Sequence, residues 1–412
     1  MAQKTRVSSG LMGGDVDEGY GKVADAFRLN LSSGTEVGAA VAVYREGRKV
    51  VDLWGGYRNG ITRTPWTQDT LVNVYSTTKG IAALTVALAV SRGLLSYDAS
   101  VADYWPEFAQ GGKEAITVRQ LLAHQAGLPV IRPLLTLGDI ADPAKLSQKL
   151  AAQVPAWPPG TRHGYHGVTL GWYASELIRH ADPEGRTLGK YFADEIAGPL
   201  GLDFHIGLPD SVDRDRVAYL HVPSQIATIL HLHVLPPRLA AAWFIPMTLT
   251  AQAGVAFEGA NGLSTFNRED VRVVEIPAAN GTGTAESVAR LYGDAATGGS
   301  GIGLTPEVVT ALTAPPVMPT KGLRDKVIHI DTSYALGFGR PIPNSRKYVI
   351  GSSDKAFGAP GAGGSVGFAD PDTAVGFGYV MNRLGFHLIS DPRGLRLRQA
   401  LFRDVLGARP QR

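Results

Sequence analysis

The chain has 412 residues, 44% of them hydrophobic and 19% charged, against roughly 25% charged in an average soluble protein. So long and so lightly charged a chain can bury a sizeable core, which excludes wholesale disorder. Forty basic and 37 acidic residues leave a net charge of +3 with no Lys/Arg block, so a nucleic-acid partner has no electrostatic footprint.

Cysteine is absent, which removes disulfides, thiolate metal sites and a cysteine nucleophile and fits a reducing cytoplasm. The first ten residues lack the apolar run of a signal peptide. Helical spacing follows over residues 16–30, then two β-rich runs, 38–44 and 49–55, joined by Arg45-Glu-Gly-Arg48 as a hairpin. Residues 71–75 are extended and lead into Ser76, where the pattern changes.

From Ser76 to Arg92 the chain predicts a helix that is apolar nearly all round and therefore buried. Ser76, Thr77 and Thr78 offer capping hydroxyls, and Gly93 ends it. Up to about residue 274 the reading is helices and long loops, with clearer helices over 118–123, 144–153, 168–180 and 187–196. The longest stretch free of charge and histidine, residues 239–257, holds Pro246, Thr248, Thr250 and Gln252. It is expected to be buried or pocket-lining rather than to span a membrane. More broadly, residues 235–257 serve either as a wall of the acyl or alcohol pocket or as ordinary core.

Two further helices are predicted over 283–292 and 306–312. The end turns β-rich over 334–339, 347–350, 364–368 and 375–380, with Asp370-Pro-Asp372 as a hairpin turn, and an amphipathic helix covers 395–405. Strands at both ends with helices between give an α/β fold of the α+β type. It has a central antiparallel sheet flanked by helices and a large, mostly helical insertion. The expected domains are 1–78 with 275–412, and 79–274, with the active site in the cleft between them. No internal repeat occurs.

Three serines sit in patterns that suit a nucleophile. Gly363-Gly-Ser365-Val-Gly367 matches a nucleophile elbow, but strand, turn and strand follow it where an elbow needs a helix. Ser352-Ser-Asp-Lys355 lies among glycines and a proline, so no helix holds its lysine beside its serine. Ser76-Thr-Thr-Lys79 opens the buried helix, where residues three apart share a face. The helix dipole favours an anion at the hydroxyl and disfavours a cation, and burial lowers an amine from its usual value of about 10.4. A base useful near neutrality needs on the order of 4 kcal/mol of that effect. The other reading of these residues alone is a capping serine with a snorkelling lysine.

Tyr75-Ser-Thr-Thr-Lys-Gly80 with its apolar helix resembles the active-site start of the serine β-lactamase and penicillin-binding protein superfamily. The segments beginning at Leu121 (Leu-Leu-Ala-His-Gln-Ala-Gly-Leu-Pro129), at Pro159 (through Tyr165 to Trp172) and at Phe357 (through Gly361 and Ala362 to Pro371) resemble its further motifs, in order. The likeness is greatest to the class C β-lactamase-like esterases, the family VIII carboxylesterases. It implies a β-lactamase/transpeptidase-like fold and a cofactor-free serine carboxylesterase acting on small-molecule esters through an acyl-enzyme. Ser76 would be the nucleophile and Lys79 its base. Tyr165 would pass a proton to the leaving alcohol, and the amides of Ser76 and Ala362 would form the oxyanion hole. Gly361, Trp157 and His166 are the remaining candidates around the substrate; His166 could instead tune Tyr165 or be simply packed or solvent-facing, and Trp157 is equally consistent with ordinary core.

Two positions depart from the superfamily's pattern. Gly167 stands where the lactamases carry asparagine, and Ala359-Pro360-Gly361 lacks the opening Lys or His. Both changes weaken recognition of a β-lactam or a peptide C-terminus. An acyltransferase passing the acyl group to an alcohol or amine is the alternative, ahead of β-lactamase or D-amino peptidase activity. The histidines His221, His231 and His233 lack accompanying carboxylates, so no metal site is expected. Gly281-Thr-Gly283 lacks the dinucleotide fingerprint.

Overall fold

A computed structural model of the chain describes residues 9–342 and 350–408. The predicted strand at 347–350 falls on residues outside these, apart from Ile350, which is buried. The main sheet has nine antiparallel strands. They are β1 (Met12–Val16), β2 (Gly38–Arg45), β3 (Arg48–Asn59), β4 (Thr64–Pro65), β5 (Tyr334–Ala335), β6 (Phe338–Gly339), β7 (Phe357–Pro360), β8 (Val366–Asp370) and β9 (Val375–Met381). Their order is β1-β3-β2-β9-β8-β7-β6-β5, with β4 paired to the end of β3. The two ends of the chain therefore meet where β2 pairs β9, Val41 opposite Tyr379.

Alternation along β9 assigns its two faces. Phe377 and Tyr379 join Phe368, Val41 and Val43 in a core closed by α1 (Gly21–Ser32) and the C-terminal helix. Gly376 and Gly378 face the opposite way, and a Cβ on either would lie 2.0–2.4 Å from backbone atoms of Gly293 or Ala285. That close approach seats a helix directly on the sheet: α4 (Ala285–Ala296) packs on β9, β2 and β8. Further helices are α2 (Thr78–Ser91), α3 (Thr169–Ala181) and α5 (Pro392–Gln399).

Every residue of α2 from Thr78 to Ala89 is buried, as its unbroken apolar pattern demands. It lies among α3, α4 and the helical middle of the chain in one large core with Trp105, Trp172, Tyr173 and Tyr292. A second, three-stranded sheet pairs Val72–Asn73 with Gly281–Gly283, and the latter with Phe204–Ile206. It fixes the approach to α2 against residues just after Ala278. Gly281-Thr-Gly283 is thus a buried strand and not a phosphate loop.

Three expectations need correction. The helix predicted from residue 16 begins at Gly21, because Met12–Val16 is an edge strand on β3. The hydroxyls of Ser76 to Thr78 do not cap α2; a 3-10 turn, Tyr75–Thr77, precedes the helix and their bonds go elsewhere. The segment 239–257 is not simply buried. It forms helices Pro237–Trp243 and Leu249–Ala253 around a turn whose Trp243, Phe244, Ile245 and Met247 are 53–84% exposed. Composition reports how apolar a segment is but not which side of it faces water, and Pro246 keeps the turn from folding back into a helix. No helix among the described residues is long and apolar enough to cross a membrane.

Candidate active site

The chain reaches Ser76 through Tyr75, whose φ of 47° is left-handed. For a non-glycine residue that costs roughly 1–2 kcal/mol, and the surroundings hold it. The Tyr75 hydroxyl donates to the carbonyl of Leu263 at 3.0 Å. Its ring meets Phe266 edge-on at 5.3 Å, and the Thr78 hydroxyl donates to its carbonyl at 2.5 Å. The Thr78 hydroxyl in turn accepts the Gly281 amide at 2.9 Å, tying the turn to the small sheet.

Ser76 Oγ lies between two polar groups. Lys79 Nζ is 2.9 Å away, one turn along the chain, and Tyr165 Oη donates to Oγ at 2.8 Å. The Lys79 amine also donates to the carbonyls of Gly167 at 2.6 Å and Ala278 at 2.9 Å. Lys79 is only 4% exposed, and burial lowers its amine from 10.5 to about 7. In the neutral amine, two N–H bonds would satisfy the two carbonyls and leave the nitrogen lone pair toward Oγ. Burial pushes the Tyr165 phenol up to about 12, with the Ser76 hydrogen bond opposing and the Asp325 carboxylate adding to the rise. The phenol therefore keeps its proton at pH 7. One group is poised to take a proton from Oγ and the other to give one.

The Tyr165 segment is braced from behind by histidines. His166 is fully buried; its Nδ1–H donates to the Gly164 carbonyl at 2.6 Å and its Nε2 accepts the Leu128 amide at 2.9 Å. His124 Nδ1 accepts the His166 amide at 3.0 Å, and its ring packs 5.1 Å from that of Tyr165. Burial drives His166 down to about 3 and His124 well below its ordinary value, so both stay neutral. Trp157 is 7% exposed, packs on Gly164 and donates its indole N–H to the Arg162 carbonyl at 3.2 Å. Trp157 and His166 thus pack and hydrogen-bond within the segment that carries Tyr165. Their aromatic surface and ring nitrogens are spent on holding its backbone.

On the other side of Ser76, Gly361 comes so close that a Cβ would lie 2.3 Å from the Val74 carbonyl and 2.2 Å from Ser365 Oγ. Ser365 is 2% exposed. It donates to the Val74 carbonyl at 2.8 Å and accepts from the Thr77 hydroxyl at 3.1 Å, so it clamps β8 and the preceding turn onto the Ser76 turn. The Ser76 and Ala362 amides have no hydrogen-bond partner among the described residues. Ala359 packs toward Gly80 of α2 and brings no polar atom.

The other candidates lie apart from this cluster. Ser352 Oγ donates to Asp370 at 2.6 Å and Lys355 pairs with Asp372 at 2.8 Å, in a loop. His221 Nε2 accepts the Gly60 amide, and His231 stacks on Phe386 at 3.9 Å. No group of three or more metal-ligating side chains occurs among the described residues. Sequence reading missed the Gly167 and Ala278 carbonyls, which have no side-chain signature. It also missed the His124 brace, although the segment that carries His124 was singled out.

A family model described as Beta-lactamase matches residues 23–401. The esterase/beta-lactamase LipL of Mycobacterium tuberculosis is 35% identical over 383 residues, 90% of this chain and 83% of that relative. Among solved structures, a penicillin-binding protein homologue from Caulobacter crescentus aligns with a TM-score of 0.79 at 40% identity, covering 95% of this chain and 99% of its own. A family VIII carboxylesterase aligns with a TM-score of 0.80 at 36% identity and the same two coverages.

Proposed function

The chain belongs to the Beta-lactamase family, and from that premise we propose that it is a serine hydrolase that cleaves small carboxylic esters through an acyl-enzyme on Ser76. One observation carries the reading: Ser76 Oγ is held 2.9 Å from an amine that burial lowers to about 7 and 2.8 Å from a phenol that stays protonated. Two relatives that match most of the chain are named as esterases, which supports the choice of reaction.

In the first half-reaction Oγ attacks the ester carbonyl carbon while its proton passes to Lys79 Nζ. The Ser76 and Ala362 amides stabilise the oxyanion. As the tetrahedral adduct collapses, the alkoxide leaves with the Tyr165 proton. The acyl-enzyme then faces a Lys79 ammonium and a Tyr165 phenolate; the ring centre lies 4.9 Å from Nζ, close enough for the ammonium to stabilise the phenolate. In the second half-reaction water gives its proton to the phenolate and attacks the acyl carbon. Oγ departs and recovers its proton from Lys79. The cycle closes with every proton accounted for and needs no group beyond these residues.

Gly167 and Ala359 present no polar side chain where a β-lactam or peptide carboxylate would be read, which favours plain esters. The same acyl-enzyme can also pass its acyl group to an alcohol or amine. Product analysis with added alcohol or amine tests this alternative. The cysteine-free composition fits a cytoplasmic enzyme. The main test is hydrolysis of p-nitrophenyl acetate together with mass spectrometry of protein inactivated by a phosphonate ester. Turnover with one adduct, on Ser76, is expected. Turnover with the adduct on Ser365 or Ser352 would overturn the assignment.

A further inference from the structure

Residues 224–263 are about a tenth of the chain, yet they contribute nine of the sixteen large apolar side chains exposed among the described residues. Only Arg238 and Glu258 in this segment carry a formal charge. Ile226, Ile229 and Leu230, spaced as one face of the helix Gln225–Leu230, are 57–73% exposed. The turn from Trp243 to Met247 projects a continuous apolar run, with Met247 84% exposed. Water contact on this scale is unfavourable unless something else covers the surface.

The borders of the segment are basic. Thr250 donates to the Val327 carbonyl and meets His329 Nε2 at 3.0 Å, which ties the helix Leu249–Ala253, just after the Trp243–Met247 turn, to the segment carrying Arg324 and Lys326. These two and Arg238 act together on His329 electrostatically. Arg132 donates to Gln252 from the other side. Against these four cations stand Asp325, which is buried, Asp331, which pairs with Arg324 at 3.6 Å, and Glu258. With Asp325 buried and Asp331 paired to Arg324, the exposed cations Arg132, Arg238 and Lys326 face only Glu258 among these carboxylates.

The segment also reaches the active site. The Ala253 carbonyl lies against Gly167, whose own carbonyl holds Lys79. The Leu263 carbonyl holds the Tyr75 hydroxyl next to Ser76.

We propose that this face docks on an anionic lipid surface. The Trp243–Met247 turn and the exposed face of Gln225–Leu230 enter the boundary between headgroups and acyl chains, while Arg132, Arg238, Arg324 and Lys326 meet the headgroups. Apolar side chains with a tryptophan at the interface and cations at its edge are the chemistry of peripheral lipid binding. A second copy of the chain fits less well, because a two-fold contact through this face would set the basic border against itself. Docked in this way, the cleft opens toward the lipid phase, and its substrates are lipid-borne esters. That last step rests on the esterase reading above, whereas the docking does not.

The test uses the full chain and sedimentation with phosphatidylcholine vesicles, with and without phosphatidylglycerol. Binding to the anionic vesicles is expected, weakened by salt, with a blue shift of tryptophan emission that Trp243→Phe removes. The combined Phe244→Ser, Ile245→Ser and Met247→Ser protein should lose at least about tenfold in vesicle affinity, and Arg238→Glu with Lys326→Glu should erase the preference for anionic lipid. Both variants should hydrolyse p-nitrophenyl acetate as the parent does, which also shows that they fold. Failure of the parent to bind anionic vesicles would overturn the proposal, as would undiminished binding by the triple variant. So would a dimer that the triple substitution converts to monomer without any vesicle binding. Vesicle binding by Ser76→Ala equal to that of the parent supports docking independently of catalysis. Absent hydrolysis in a vesicle-binding parent would count against the esterase reading alone.

Discussion

Two of the described lysines are buried, one in the helical middle of the chain and one at the start of α2, and their hydrogen-bond partners differ at one position. Lys113 is fully buried and donates to the carbonyls of Gln110, Ala151 and Gln153 at 2.5–2.9 Å. Lys79 donates to two carbonyls, and its third neighbour is the Ser76 hydroxyl. Burial lowers both amines. A carbonyl can only accept, so three of them require three N–H bonds and hold Lys113 as an ammonium. A hydroxyl can accept or donate, so Lys79 can give up its third proton and leave every neighbour satisfied. Burial makes the neutral amine accessible, and the third partner makes it useful.

Substitutions can break this contrast. Ser76→Ala should lower kcat/KM for a p-nitrophenyl ester by on the order of 10^4 or more, and Lys79→Met by roughly 10^3 or more. Lys113→Met should leave kcat/KM per folded molecule near the parent value. It should instead lower Tm by several degrees, because three buried carbonyls lose their donor. Equal losses of activity at the two lysines would dissolve the distinction.

The distinction also has a pH signature. Catalysis needs the neutral Lys79 amine, so kcat/KM should rise with an apparent pKa near 7 and stay high through pH 9, where the Tyr165 phenol is still protonated. The folded-state pKa lies below the unfolded one, so the charged amine destabilises the fold fully below pH 7, and the penalty fades as pH rises from 7 to about 10.5. The stability of Lys79→Met relative to the parent should therefore fall by about 1.4 kcal/mol per pH unit across that window, as measured by urea denaturation. A flat difference would mean that the amine is not depressed. The smallest effect belongs to Ser365→Ala: loss of a clamp between two backbone segments should reduce kcat/KM by about tenfold at most and move Tm by a few degrees.

Much of this was legible in the sequence, and the limits are physical. The i, i+3 spacing of Ser76 and Lys79 in an all-apolar helix is local information, and it yields both the burial and the pairing. The alternating apolar residues and glycines of 375–380 likewise give a strand with two different faces. Tyr165 came through motif resemblance, since nothing within its own segment says that it returns to Ser76. The carbonyls of Gly167 and Ala278 are invisible in principle, because every residue has one. The roles of His166 and Trp157 stay open in the sequence for a related reason: adjacency to Tyr165 does not say which side of it they occupy. The apolar segment 239–257 showed the same gap at larger scale, its composition being equally consistent with an inside and an outside.

The most direct test is an NMR titration of the Lys79 side chain in active protein, read from labelled lysine with Lys79→Met providing the assignment. A midpoint close to 7, shared with the ascending limb of kcat/KM, is the predicted result. An amine still fully charged at pH 9 while turnover is at its maximum would contradict it, since no neutral base would then stand beside Ser76.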